Sequence, residues 1–174
     1  MTSTTPPSIN PLPLFPQEEW LDLLKDLEKF HAIFYKMWSL GKPVFTNTTE
    51  TAFVQFDPLG ECIKFAINPD FWNKLNRTSK QFVICHECLH VILNHGIRFF
   101  GNKGKINTFL NESMDVVVNH LLISNYGFDR KAIKYNKELC WIDTIFPKRK
   151  DILPDQNAEY YYNRMKEDNP DAPT

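Results

Sequence analysis

Residues 85–90 read Cys-His-Glu-Cys-Leu-His, and within them His86, Glu87 and His90 spell H-E-x-x-H. No other stretch constrains the chain as tightly, because this pattern has chemical meaning only on a helix. Helical residues four apart lie about 40° apart around the axis and about 6 Å along it. Two imidazoles so placed can grip one Zn2+. Glu87 lies about 100° further round and flanks the ion. From there its carboxylate can take a proton from an activated water and later deliver it to a leaving amine. The helix is expected independently. Thr78-Ser79-Lys80-Gln81 matches a capping box in front of the apolar run Phe82–Leu93, with an end expected near Gly96 or Gly101.

Cys85 and Cys88 form a C-x-x-C that competes for a metal. Taking His86 as zero, Cys85 lies near −100° and Cys88 near −160°, close to Ile92 at about −120°. The cysteines therefore belong to the core-facing side, where a thiol behaves as a small apolar group. A zinc ribbon would need a second C-x-x-C, which the chain lacks. His95 follows His90 by five. On a continuing helix it points about 180° away from His86, and it could ligate only if the helix broke first. It reads as a buried, hydrogen-bonded histidine, important for stability rather than metal affinity.

A catalytic zinc site takes three protein ligands and keeps one open place. The third is expected on a following helix, Thr108–Ser124, whose segment Asn111–Asn119 offers Glu112 and Asp115. Asp115 and Asn119 are four apart and share a face. The neighbours Met114 and Val116–Val118 make the segment largely buried, and buried carboxylates usually meet a cation.

Around this nucleus the chain reads as one domain. Residues 1–16 carry five of the twelve prolines and no charge, a flexible arm outside the core that could dock a protein partner. Gln17–Leu40 has helical periodicity through Trp20, Leu24, Leu27, Phe34 and Trp38, ending at Gly41 and Pro43. Thr51–Asp57 and Cys62–Ile67 alternate around Pro58-Leu59-Gly60, which reads as a β-hairpin. Asn68-Pro69 starts a short helix to about Asn76. Asp155 caps a last helix, Gln156–Glu167, and residues 168–174 form an acidic tail. The domain is thus expected to span 17–167, with residues 125–154 unassigned.

Composition narrows the classes. With 43% hydrophobic residues, 14% aromatic and 24% charged, the chain can build a core. A net charge of −1 argues against a polyanion binder. The basic clusters Arg130, Lys131, Lys134, Lys137 and Lys148, Arg149, Lys150 are small enough to be a solvated face. No apolar run spans a bilayer and no leader is evident, so the reading is cytoplasmic, with reduced thiols and no membrane.

His86–Arg98 followed by Asn111–Leu121, together with Ala158-Glu159-Tyr160-Tyr161, resembles the metallopeptidase domain of bacterial and phage proteins. In longer members that domain precedes a von Willebrand factor A-like domain, which this sequence lacks. The resemblance covers roughly 17–167 and implies an α+β, zincin-like core with His86 and His90 as zinc ligands and Glu87 as catalytic acid/base. It also places the third ligand at Asp115, with Asn119 to orient it. Glu112 and Ser113 depart from the small residues usual in the family, so Glu112 stays in contention. The function expected is a zinc-dependent peptidase acting on a protein or peptide. The alternatives are a non-catalytic zinc-containing binding module and a DNA-associated protease of the SprT-like kind. By type alone, Tyr126 and Tyr135 are candidates to stabilise an oxyanion.

Overall fold

The computed structural model describes residues 12–34, 41–57, 59, 61–98, 108–135 and 138–170. Its elements run α1 (Gln17–Phe30), β1 (Val44–Phe45), β2 (Ala52–Phe56), β3 (Cys62–Ile67), α2 (Pro69–Lys74) and α3 (Arg77–Ile92). They continue with α4 (His95–Arg98), α5 (Thr108–Ser124), α6 (Ile142–Ile145) and α7 (Ala158–Asp168). The fold is α+β, compatible with the zincin-like order of helix, small sheet, motif helix and following helix.

The hairpin forms as its alternation implies. β2 and β3 pair antiparallel with Val54 opposite Phe65, and the Asp57 carboxylate accepts from the amides of Leu59 and Glu61 to close the turn. A two-residue strand, β1, adds in parallel to the other side of β3 and gives the order β1-β3-β2. Two residues are too few for an alternating pattern, so periodicity alone could not find it. The consequence is functional: β2 is an edge strand, and its free side faces α3.

Asparagines cap the starts of α2, α3 and α7. Asn68 accepts from the amides of Asp70 and Phe71 ahead of Pro69, as the sequence implies. For α3 the cap is Asn76, which accepts from Ser79 N at 2.8 Å, and not Thr78. Asn76 still has extended backbone, whereas Thr78 is already inside the first turn. For α7 the cap is Asn157, not Asp155. Asp155 instead adopts φ 57° and bonds His120.

Two boundaries differ from the sequence reading. α1 stops at Phe30, ten residues before Leu40, because His31 turns extended and its ring accepts from Ile33 N. A single tight turn follows to Phe34, and Trp38 lies outside the described residues. At the other end, Phe15 does not belong to an arm outside the core. It is 7% exposed and packs on Phe45, Trp72 and Trp20 with ring centroids 4.8, 5.4 and 5.9 Å away.

The main core lies between α1, the sheet and α3, where Leu23, Leu27, Phe65, Trp72 and Phe82 are all but sealed from solvent. Each such side chain contributes about 1.5–3 kcal/mol by leaving water. A second cluster around Val116, Phe146, Tyr161 and Met165 clamps α5 against α7. Val116 and Val118 are fully buried, so packing overrides the weak helix propensity of this β-branched run. α5 is thereby held rigidly across the face of α3.

Candidate metal centre

α3 presents His86, Glu87 and His90, and α5 crosses it at Asp115. The Nε2 atoms of His86 and His90 are 3.0 Å apart. Asp115 Oδ1 lies 3.2 Å from Nε2 of His90 and 3.5 Å from Nε2 of His86. Three donors on one tetrahedral ion with bonds of about 2.0–2.1 Å stand about 3.3 Å from each other. The observed triangle brackets that value. Among the described residues, these are the three whose donors converge closely enough to hold a metal ion. Glu112, one turn before Asp115 on α5, is not in the group.

The imidazoles are aimed from behind. Asn119 Nδ2 donates to the carbonyl of Cys140 at 3.1 Å, which turns Oδ1 towards His86 Nδ1 at 2.9 Å. With an ion bound, Nδ1 of His86 would donate to this oxygen and Nε2 would offer its lone pair. The sequence reading had Asn119 orienting Asp115. The observed partner is His86, because α5 lies across α3 and one turn beyond Asp115 brings the amide to the back of the ring.

His95 corrects a second expectation. α3 does not continue to it. The helix closes at Ile92, and Asn94 takes φ 53°, the left-handed conformation that ends helices. α4 then folds back, and His95 Nδ1 meets His90 Nδ1 at 2.8 Å, with the ring only 3% exposed. His95 is buried and hydrogen-bonded, as expected, but its partner is a donor of the converging trio rather than the core around Cys88. The break could have been read from Asn94, a residue that tolerates left-handed backbone better than most.

Glu87 is 7% exposed and faces the cleft beside the edge strand β2. Burial, together with the charge of Asp115, lifts its pKa above the ordinary carboxylate value, against the pull of His86, His90 and the Val54 amide. Burial would push His86 down, but the carboxylates of Asp115 and Glu87 and the Asn119 contact carry it to about 8. Asp115 is held far below the usual range by the two imidazoles, despite its own burial. A half-buried anion between two nitrogen donors is the charge pattern a divalent cation completes.

These groups line a cleft of about 340 Å3 between the β2 edge, α3, α5 and the loop before α6, with a mostly apolar wall that includes Val54, Phe71, Met114 and Tyr135. Tyr126 is elsewhere, edge-on to His31 and tilted against Phe34. Cys85 and Cys88 are fully buried on the far side of α3, as the helical angles imply, and no cysteine is in a disulfide.

An α+β fold whose motif helix and following helix converge two imidazoles and a carboxylate beside an edge strand defines the metallopeptidase-like class. The chain belongs to the family described as "putative metallopeptidase domain", whose profile matches residues 51–172. The match begins at β2, so α1 and β1 lie outside it and the sheet edge, motif helix and α5 lie within it. No curated protein and no solved structure matches the chain.

Proposed function

We propose that this protein is a zinc-dependent peptidase that hydrolyses a peptide bond in a cytoplasmic protein or peptide. The observation that carries the reading is the position of Glu87. A carboxylate buried beside three converging donors has no structural task that an apolar residue would not do better. It suits proton transfer, because its raised pKa moves it towards neutrality.

His86, His90 and Asp115 would hold the ion. Two imidazoles and one carboxylate suit zinc, which would supply Lewis-acid polarisation of the substrate carbonyl and a more acidic water. The protein's own residues do the rest. Asn119 and His95 keep the two imidazoles in the tautomer that offers Nε2. Glu87 accepts a proton from water as its oxygen attacks the carbonyl carbon, and returns it to the leaving nitrogen as the C–N bond breaks. Amide and water become carboxylate and ammonium. The outer side of β2 can align an extended substrate alongside the cleft.

Charge placement disfavours a nucleic-acid partner. Arg130 pairs with Asp143 and stacks on Trp141, while Arg149 pairs with Asp151 and Asp168. Both clusters spend their guanidinium groups internally. No helix among the described residues is long and apolar enough to cross a membrane.

The test is elemental analysis of protein purified without chelator, paired with Glu87→Gln in an unbiased proteome cleavage screen. About one zinc per chain is expected, retained in Glu87→Gln and lost from His86→Ala, His90→Ala and Asp115→Ala. Cleavage should fall about 10²–10⁴-fold in Glu87→Gln. Parental cleavage by that variant would refute the assignment, and no cleavage by either protein would favour a zinc-containing binding module.

A further inference from the structure

Tyr135 lies in the loop between α5 and α6, and its neighbours hold it in place. The adjacent Lys134 amide donates to Ser79 Oγ at 2.7 Å, tying the loop to the first turn of α3. The Tyr135 ring meets Phe71 of α2 at 5.3 Å and Phe82 of α3 edge-on at 6.2 Å. Phe82 stands one turn before His86 and 6.2 Å from its ring, so a continuous aromatic row links the phenol to the converging imidazoles.

Tyr135 lines the same cleft as His86, Glu87, His90 and Asp115. Its hydroxyl makes no hydrogen bond among the described residues, and it is not a sealed polar atom. Buried tyrosine hydroxyls normally have a partner. A half-buried phenol that lines the cleft, with a hydroxyl that makes no bond among the described residues, is placed for a partner that arrives with the ligand. Burial and the charges of Glu87 and Asp115 keep the phenol well above its ordinary pKa, so at neutral pH it is an O–H donor. Tyr126, the other candidate by residue type, does not line the cleft.

Resting on the peptidase reading, we propose that the Tyr135 hydroxyl donates a hydrogen bond to the scissile carbonyl oxygen and stabilises the oxyanion that forms there. As water adds to the carbonyl carbon, the C=O π pair moves to oxygen, where a donor aimed in advance does most good. Glu87 carries the transferred proton, and Tyr135 keeps its own throughout. When the oxygen pair returns, the C–N bond breaks and the Glu87 proton goes to nitrogen.

The test compares Tyr135→Phe, which keeps the ring packing, with Tyr126→Phe. Both should retain zinc and the parental melting curve. With a peptide found in the cleavage screen, Tyr135→Phe should lose about 10²–10³-fold in kcat with KM nearly unchanged, and Tyr126→Phe should match the parent. A second readout needs no turnover. Zinc-loaded proteins are titrated with a mixture of phosphinic dipeptides, whose tetrahedral phosphinate copies the oxyanion. Affinity should fall at least tenfold in Tyr135→Phe alone. Parental kcat and phosphinate affinity in Tyr135→Phe, loss of its zinc, or no phosphinate binding by any of the proteins would each overturn the proposal. If neither the parent nor Glu87→Gln cleaves anything, the peptidase reading fails by itself, and the phosphinate titration still decides the role of Tyr135.

Discussion

The Nδ1 atoms of His90 and His95 lie 2.8 Å apart. Nε2 of His90 faces His86 and Asp115, so its Nδ1–H must donate, and His95 accepts. A histidine five residues along the chain thus sets the tautomer of the one before it. His95→Ala should lower zinc affinity about 10–100-fold, the usual cost of losing an orienting partner. Competition titration against a chromophoric chelator measures it. Unchanged affinity would return His95 to the purely stabilising role that its spacing suggests.

Asn119→Ala should weaken zinc to a similar degree, about 10–100-fold, by releasing the ring of His86. The same competition titration checks this, and unchanged affinity would show that the ring of His86 does not depend on Asn119. Glu112→Ala should leave affinity nearly intact.

Gly96 gives α4 room to fold back. A Cβ there would stand 2.7 Å from two Phe56 ring carbons and closer still to Cγ. Gly96→Ala should therefore cost about 1–3 kcal/mol in urea unfolding, as overpacked sites do. Adding Phe56→Leu should recover part of the loss. A neutral Gly96→Ala would show that α4 does not need the contact.

Glu19 joins α1 to α2 and α3. Burial raises its carboxyl pKa, but bonds from Lys80 and Trp72 Nε1 outweigh this and hold it below the ordinary value near 4.5. A carboxyl with a depressed folded pKa stabilises the fold above its unfolded pKa and loses that contribution as pH falls through the lower folded value. Glu19→Gln should cost about 1 kcal/mol at pH 7, since the pair is partly exposed. The parent and the variant should converge as acid protonates the carboxyl. Denaturation midpoints across pH check this, and a constant difference would exclude the ionic origin.

What the sequence by itself determined is whatever local geometry controls. The spacing of His86, Glu87 and His90 on a 3.6-residue turn placed two imidazoles on one face and turned Cys85 and Cys88 inward. The alternation of Ala52–Phe56 and Cys62–Ile67 built the hairpin, and Asn68-Pro69 opened a helix. The tertiary structure decided what depends on contacts between distant segments. The crossing of α5 over α3 brought Asp115 rather than Glu112 to the imidazoles and gave Asn119 to His86. The left-handed turn at Asn94 sent His95 back to His90, and the tie from Ser79 to Lys134 set Tyr135, not Tyr126, in the cleft. Spacing along one helix fixes angles about one axis, whereas the meeting of two elements depends on how their side chains interlock. No local period encodes that.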